Sequence, residues 1–144
     1  MEKINKIAVL YGGSSSEREI SIQSGEGVYK SIIELGYIAD LIEINDLEEL
    51  SELRVYDFIF IALHGFEGEG GSLQKCLDDL NILYSGSGHE ACMKTWNKKV
   101  TKEILKENNI NTPVSLSISE FSIEDANQSL NTCLLYTSPS PRDS

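Results

Sequence analysis

Two carboxylates, Glu17 and Glu19, follow the small-residue run Gly12-Gly13-Ser14-Ser15-Ser16, and a histidine, His64, opens a second run, Gly65-Phe66-Glu67-Gly68-Glu69-Gly70-Gly71-Ser72. Carboxylates in such a place suit an ammonium group, because charge-assisted hydrogen bonds are short and strong. They would repel phosphate. The first run also lacks the third glycine of the dinucleotide fingerprint and the lysine of a phosphate loop, so it is not a nucleotide loop. Helix capping and a solvated helix face would account for Glu17 and Glu19 without any ligand. Four glycines within residues 64–72 cost conformational entropy on folding, which implies tight geometry there. A lone histidine is commonly a satisfied structural residue. A histidine with two carboxylates could hold a metal, but this spacing matches no standard site, and no metal ligands are expected.

These loops need elements to carry them. In an open α/β sheet, ligands bind beyond the carboxyl ends of the strands. Lys6–Tyr11 (KIAVLY), ended by Gly12-Gly13, reads as a buried strand. Ile20, Val28, Ile32 and Leu35, mostly four apart, predict the apolar face of a helix. Ser16 and Glu19 have capping-box spacing before it, and Gly36 suits its end. Residues 37–44 read as a second strand, and the acidic stretch 46–53 as a short helix or helical turn. Residues 56–63 (YDFIFIAL) read as a strand covered on both faces. Ser72 is expected to cap a helix with Leu73, Cys76, Leu77 and Leu80 on its buried face. Residues 82–84 read as a brief strand before Ser85-Gly86-Ser87-Gly88.

That order predicts an α/β fold, an open parallel sheet with flanking helices and right-handed crossovers, over residues 1–88. The loops 12–19, 64–72 and 85–88 then share one end of the sheet, and their small residues let backbone approach a ligand. All eleven glycines fall at or before Gly88, so the chain changes character there. Helices are expected around 89–95 and over 97–108, an extended turn at Thr112-Pro113, a strand over 114–118 and a helix within 119–130. These are too few to close a second core. Residues 133–144 (CLLYTSPSPRDS) fit nothing before them and hold two of the three prolines, so they are read as a non-native tail.

The chain has 144 residues with 12 basic and 23 acidic side chains, a net charge of −11. The length suits about one domain. The acidic balance disfavours nucleic acid and anionic membrane as partners. No apolar run is long enough to span a bilayer, and no signal-peptide core follows the charged MEKINK start, so a cytoplasmic protein is expected. Cys76, Cys92 and Cys133 form no CxxC pair and are expected to be free, buried thiols.

The runs KIAVLYGGSSSEREISIQSG, FIALHGFEGEGGSLQ and LYSGSG, with WNKK about ten residues later, resemble the start of the D-alanine:D-alanine ligases, a family of ATP-grasp enzymes. The likeness spans residues 4 to about 118. The family's usual loop is HGxxGEDGxxQG; here Gly70 stands where it has aspartate and Lys75 where glycine is common, and Trp96 replaces a frequent methionine. The resemblance implies a reaction in which ATP phosphorylates the carboxylate of one D-alanine and the amine of a second attacks, giving a dipeptide for peptidoglycan synthesis. It implies that Glu17 holds the ammonium of the first D-alanine, that Ser21 belongs to the network orienting Glu17, and that His64 positions substrate near the developing tetrahedral centre. Gly12, Gly13, Gly65, Glu69 and Gly71 would form the substrate-binding loops, and Lys98 would reach ATP. Residues 1–88 would be the N-terminal substrate domain and 89–132 the truncated start of the ATP-grasp domain. The ligands for Mg2+ (or Mn2+) and the arginine at the transferring phosphoryl group would lie beyond this chain, leaving an N-terminal fragment inactive alone. A homodimer built partly on this domain is also implied.

Two other readings compete. One is a complete flavodoxin-like binding module without catalysis. The other is half of a nicotinamide-dependent dehydrogenase, with Glu43 or Asp46 on the ribose, for which the glycine loop is wrong.

Overall fold

A computed structural model of the chain describes residues 4–47 and 49–113. Three parallel strands, β1 (Lys6–Tyr11), β2 (Ile38–Glu43) and β3 (Phe58–Ile61), form a sheet in the order β2-β1-β3. Helix α1 (Arg18–Glu34) joins β1 to β2, and two 3-10 turns, Ile44–Asp46 and Leu50–Val55, join β2 to β3. Four helices follow: α2 (Phe66–Glu69), α3 (Ser72–Asp79), α4 (His89–Trp96) and α5 (Lys98–Glu107). The expected parallel sheet with flanking helices is thus present. The strand over 114–118, the helix within 119–130, Cys133 and the tail 133–144 lie outside the described residues. Among the described residues no helix is long and apolar enough to cross a membrane.

Strand β1 is central, and Ile7, Ala8, Val9 and Leu10 are all buried. Alternate residues of a strand face opposite sides. Ala8 and Leu10 join Leu53, Ile59, Leu63, Leu73, Leu77 and Ile82 in one apolar cluster, with α3 and the second 3-10 turn covering that face. The other face lies under α1. Here the buried residues of the helix are Ser21 and Gly25, while Ile20 and Leu35 are exposed. The expected large apolar stripe is therefore replaced by a shallow one of small residues, with Val28 and Ile32 half-buried below it. A Cβ on Gly25 would come within 2.7 Å of the Tyr11 Cβ, so the helix lies low on the sheet because Gly25 has no side chain.

Strand β3 is shorter than residues 56–63. Asp57 is used at its start, where its carboxylate accepts from Asn5 and Lys6 N–H, both at 2.9 Å. Ser85 closes its end, taking the Ile61 N–H on its hydroxyl at 2.9 Å. The expected strand at 82–84 reduces to one bridge, Ile59 with Tyr84. Positive φ values at Asn81 (57°) and Gly86 (97°) bracket it. The expected capping box at Ser16 and Glu19 does not form; the N-cap of α1 is Glu17, and no side chain caps it. Nor does Ser72 cap α3: Gly71, at φ 93°, is the N-cap. The buried face of α3 is Leu73, Gln74 and Leu77, so Cys76 is exposed and Cys92 only half-buried, correcting the buried thiols expected from composition. Both are free.

Helix α4 is tied to this body by polar and apolar contacts. The Asp78 carboxylate lies 2.7 Å from His89 Nδ1 and accepts from the Tyr84 hydroxyl at 2.9 Å. Those two bonds hold Asp78 below the usual carboxylate range, while burial, and then the bond to Asp78, pushes Tyr84 up to about 12. Phe66 of α2 meets Trp96 of α4 edge-on, with ring centroids 5.3 Å apart.

The two central glycines of α1 should respond oppositely to alanine. Gly27 has nothing within 4 Å of an added Cβ. Gly27→Ala should raise unfolding free energy by about 0.5–1 kcal/mol, as a helix-interior glycine does. Gly25→Ala should lower it by about 1–3 kcal/mol through overpacking against Tyr11. Urea titration of the two variants checks both signs.

Candidate functional site

The site is built where β1 and β3 end. Gly12 and Gly13 leave β1 at φ 91° and 88°, a left-handed backbone that favours glycine. The turn brings the Gly12 N–H to 2.9 Å from the Ser21 hydroxyl oxygen, and that hydroxyl donates to the Ala62 carbonyl just after β3 at 2.8 Å. Ser21 is fully buried. One side chain of α1 therefore fixes the ends of both strands. A Cβ on Gly12 would sit 2.8 Å from Glu43 Cγ, so its small size admits the Glu43 side chain of β2.

The histidine-bearing loop folds onto this turn. It is not open coil as its glycines suggest: residues 66–69 form the single turn α2. Gly65, at φ 75°, starts that turn, and a Cβ there would lie 2.9 Å from Glu17 Oε2. The Glu17 carboxylate thus rests over Gly65, the residue that follows His64. The ring of His64 has Nε2 3.0 Å from the Ser24 hydroxyl and Nδ1 3.9 Å from Glu69 Oε1. Glu67 accepts from the Ser14 N–H at 2.9 Å and from the Ser14 hydroxyl, and its carboxylate fills the space where Gly13 would carry a Cβ. Those two Ser14 bonds hold the Glu67 carboxyl below its ordinary range. From below, the Gln74 amide donates to the Gly68 carbonyl at 2.5 Å, leaving buried Oε1 without a partner among the described residues.

Charge is distributed unevenly here. Arg18 is engaged by Glu43, which raises the guanidinium above its ordinary value. Glu43 is therefore committed and not available to a ribose, which leaves Asp46 as the one residue of the dehydrogenase reading still open. Glu19 faces solvent, with 82% of its side chain exposed, so the sequence-adjacent pair of carboxylates splits. Glu17 alone keeps a half-buried carboxylate with no hydrogen bond or ion pair among the described residues. The helix N-terminus stabilises its negative charge. An uncommitted carboxylate over the glycine that follows a histidine can bind a small cation such as a primary ammonium.

The structure brings together Gly12, Gly13, Glu17, Ser21, His64, Gly65 and Glu69. Gly71 stands apart: a Cβ there would lie 2.7 Å from the His89 carbonyl, so it serves the packing of α4. Lys98 is exposed in the first turn of α5, and no hydrogen bond or ion pair joins it to the cluster among the described residues. Ser24 and Glu67 were not singled out from sequence. Ser24 had a signal, since Glu17, Ser21 and Ser24 are spaced i, i+4, i+7 along one helical face. Glu67 had none beyond its place among the glycines. Among the described residues no group of three or more His, Cys, Asp or Glu could hold a metal ion.

No family model matches the chain. Curated relatives do. The D-alanine:D-alanine ligase of Bordetella petrii is 37% identical over 131 residues, covering 90% of this chain and 38% of the relative. That of Desulforamulus reducens is 42% identical over 123 residues, covering 83% and 39%. Among solved structures, the Bacillus anthracis ligase is 32% identical with a TM-score of 0.69 over 88% of this chain and 43% of that one. A complex of the Bacillus anthracis ligase with ATP gives a TM-score of 0.72 at 26% identity, covering 93% and 56%. The class that fold and strand-tip site define is the N-terminal α/β domain of a ligase fold. Over most of its length the chain is homologous to D-alanine:D-alanine ligases. It spans about two fifths of the length of the curated relatives it matches.

Glu67 should act as the clasp between the two loops. Glu67→Ala should cost about 1–2 kcal/mol, a charged hydrogen bond discounted for partial exposure. Its folded carboxyl titrates below the unfolded one, so its contribution is present above the ordinary carboxylate range and lost as pH falls through the folded value. Thermal melts of wild type and variant should therefore differ at neutral pH and converge in acid.

Proposed function

We propose that the chain is the substrate-binding N-terminal part of an enzyme that joins two D-alanines into D-alanyl-D-alanine for peptidoglycan synthesis. The observation that carries this reading is the Glu17 carboxylate, unpaired among the described residues, over Gly65, the residue after His64. Glu17 holds the ammonium of the first D-alanine. Ser21 keeps the first turn of α1 in place under Glu17. His64 positions that substrate at its reacting end, with Glu69 on the far side of the ring. Gly12, Gly13 and Gly65 let backbone and carboxylate approach the ligand closely, and Gly71 sets the loop against α4.

ATP, as the second kind of substrate, would supply the phosphoryl group that activates a carboxylate. Lys98 suits its phosphates, because its ammonium is exposed and uncommitted among the described residues. The described residues do not fit Mg2+ or Mn2+, so the reading places the metal ligands outside them and takes no step through the metal. Residues 1–88 form the substrate domain, and those from 89 onward begin the ATP-grasp domain. Phosphoryl transfer depends on metal and cationic positioning groups, so this chain alone does not complete the reaction. The reading extends to a cytoplasmic homodimer.

The test grafts residues 1–110 in place of the matching part of the Bacillus anthracis ligase. The folded chimera should form D-alanyl-D-alanine from ATP and D-alanine. Glu17→Gln in the chimera should raise the KM for the first D-alanine at least tenfold, about 1.4 kcal/mol of lost charge pairing. A folded chimera whose D-alanine kinetics ignore that change contradicts the reading. The 144-residue chain by itself should yield no dipeptide.

A further inference from the structure

We infer that Ser24 is a positioning residue for His64, fixing the imidazole with its proton on Nε2. The Ser24 oxygen lies 3.0 Å from His64 Nε2, and also 2.9 Å from the Ile20 carbonyl, 3.1 Å from the Ser21 carbonyl and 3.5 Å from the Ala62 carbonyl. A hydroxyl has one proton to give and lone pairs to receive. The three carbonyls can only accept, and the Ile20 carbonyl one turn back is the nearest of the four partners, so the hydroxyl proton is assigned to it. The hydroxyl then meets Nε2 with a lone pair, and Nε2 must bring the hydrogen. The other ring nitrogen supports the same assignment. Nδ1 is 3.9 Å from Glu69 Oε1, too far for a direct hydrogen bond that would hold the proton there in the neutral ring.

The consequence is a ring with one edge anchored and one edge free. Nε2 is tied to α1, the helix that also carries Glu17 and Ser21. Nδ1 faces the 64–72 loop, as a lone pair when the ring is neutral and as a donor beside Glu69 when it is protonated. Which nitrogen carries the proton decides what a histidine can offer a ligand. Given the proposed function, on which this use of the ring rests, Nδ1 is the atom that meets substrate, and Ser24 decides that it does.

Nitrogen NMR of the 144-residue chain tests this. The chain has two histidines, so His89→Gln leaves His64 as the sole imidazole signal. In the neutral ring, Nε2 should carry the proton, and that proton should be protected from solvent exchange. Ser24→Ala should lose about tenfold of the protection, the fold-change of one lost hydrogen bond. Ser24→Thr, which keeps the hydroxyl, should retain it. Protonation at Nδ1 in the wild-type ring overturns the inference, as does protection that is unchanged in Ser24→Ala. If Ser24→Ala does not fold, the wild-type spectrum decides: a protected Nε2 proton supports the assignment and an unprotected one overturns it. D-alanine binding is read separately from the same spectra. A chain with the inferred tautomer and no response to D-alanine leaves the Ser24 assignment standing and counts against the proposed function.

Discussion

The hydroxyl of Ser21 holds the strand-tip end of this molecule together. It is fully buried, takes the Gly12 N–H and gives its own proton to the Ala62 carbonyl. Without it, the Gly12 N–H would be left unpaired, at a cost of about 1–3 kcal/mol, and the Ala62 carbonyl would keep only the longer contact to the Ser24 hydroxyl at 3.5 Å. The hydroxyl can reach both strands because α1 lies so close to the sheet, and it lies close because Gly25, one turn further on, has no Cβ to meet Tyr11. Small size at one position and a short polar side chain at the other act as one device. Glu17, a turn earlier, and Ser24, three residues later, are then projected along the same stripe toward the second loop.

That arrangement leaves one charge uncommitted. Glu43 is engaged by Arg18, Glu67 by Ser14, and Glu19 faces water. Glu17 remains, compensated by a helix N-terminus rather than by a fixed partner. A site organised before its ligand arrives has less to reorder on binding. The positions at which this chain departs from the ligase loop pattern lie away from Glu17. Lys75 pairs with Asp79 on the exposed side of α3. A side chain at Gly70 would meet the Phe66 ring at 2.6 Å, and Trp96 meets that same ring edge-on. Gly70 and Trp96 are therefore two parts of one aromatic patch between α2 and α4.

Much of this was legible in the sequence. The apolar run of β1, the glycines that end it, and the convergence of loops 12–19 and 64–72 follow from hydrophobic pattern and parallel topology. Three kinds of feature were not legible, for physical reasons. The buried face of α1 is made of Ser21 and Gly25, which carry no hydrophobic signal, so the periodicity of Ile20 and Leu35 points to solvent instead. The helices start at Glu17 and at Gly71, the latter packed against α4, and local serine spacing gave the wrong caps. The ends of β3 are fixed by side chains distant in sequence, Asp57 onto Asn5 and Lys6 and Ser85 onto Ile61. Glu67 and Ser24 matter through partners 53 and 40 residues away, which no local pattern reports.

One hydroxyl couples both loops, and amide hydrogen exchange of Ser21→Ala measures that coupling directly. The Gly12 N–H should lose its protection, and the N–H groups of Gly68, Glu69 and Gly70, which close the α2 turn, should lose theirs with it, while Val9 in the middle of β1 stays protected. Loss confined to Gly12, with the α2 turn as protected as in wild type, would mean that the two loops are held independently and that Ser21 joins nothing beyond its own turn.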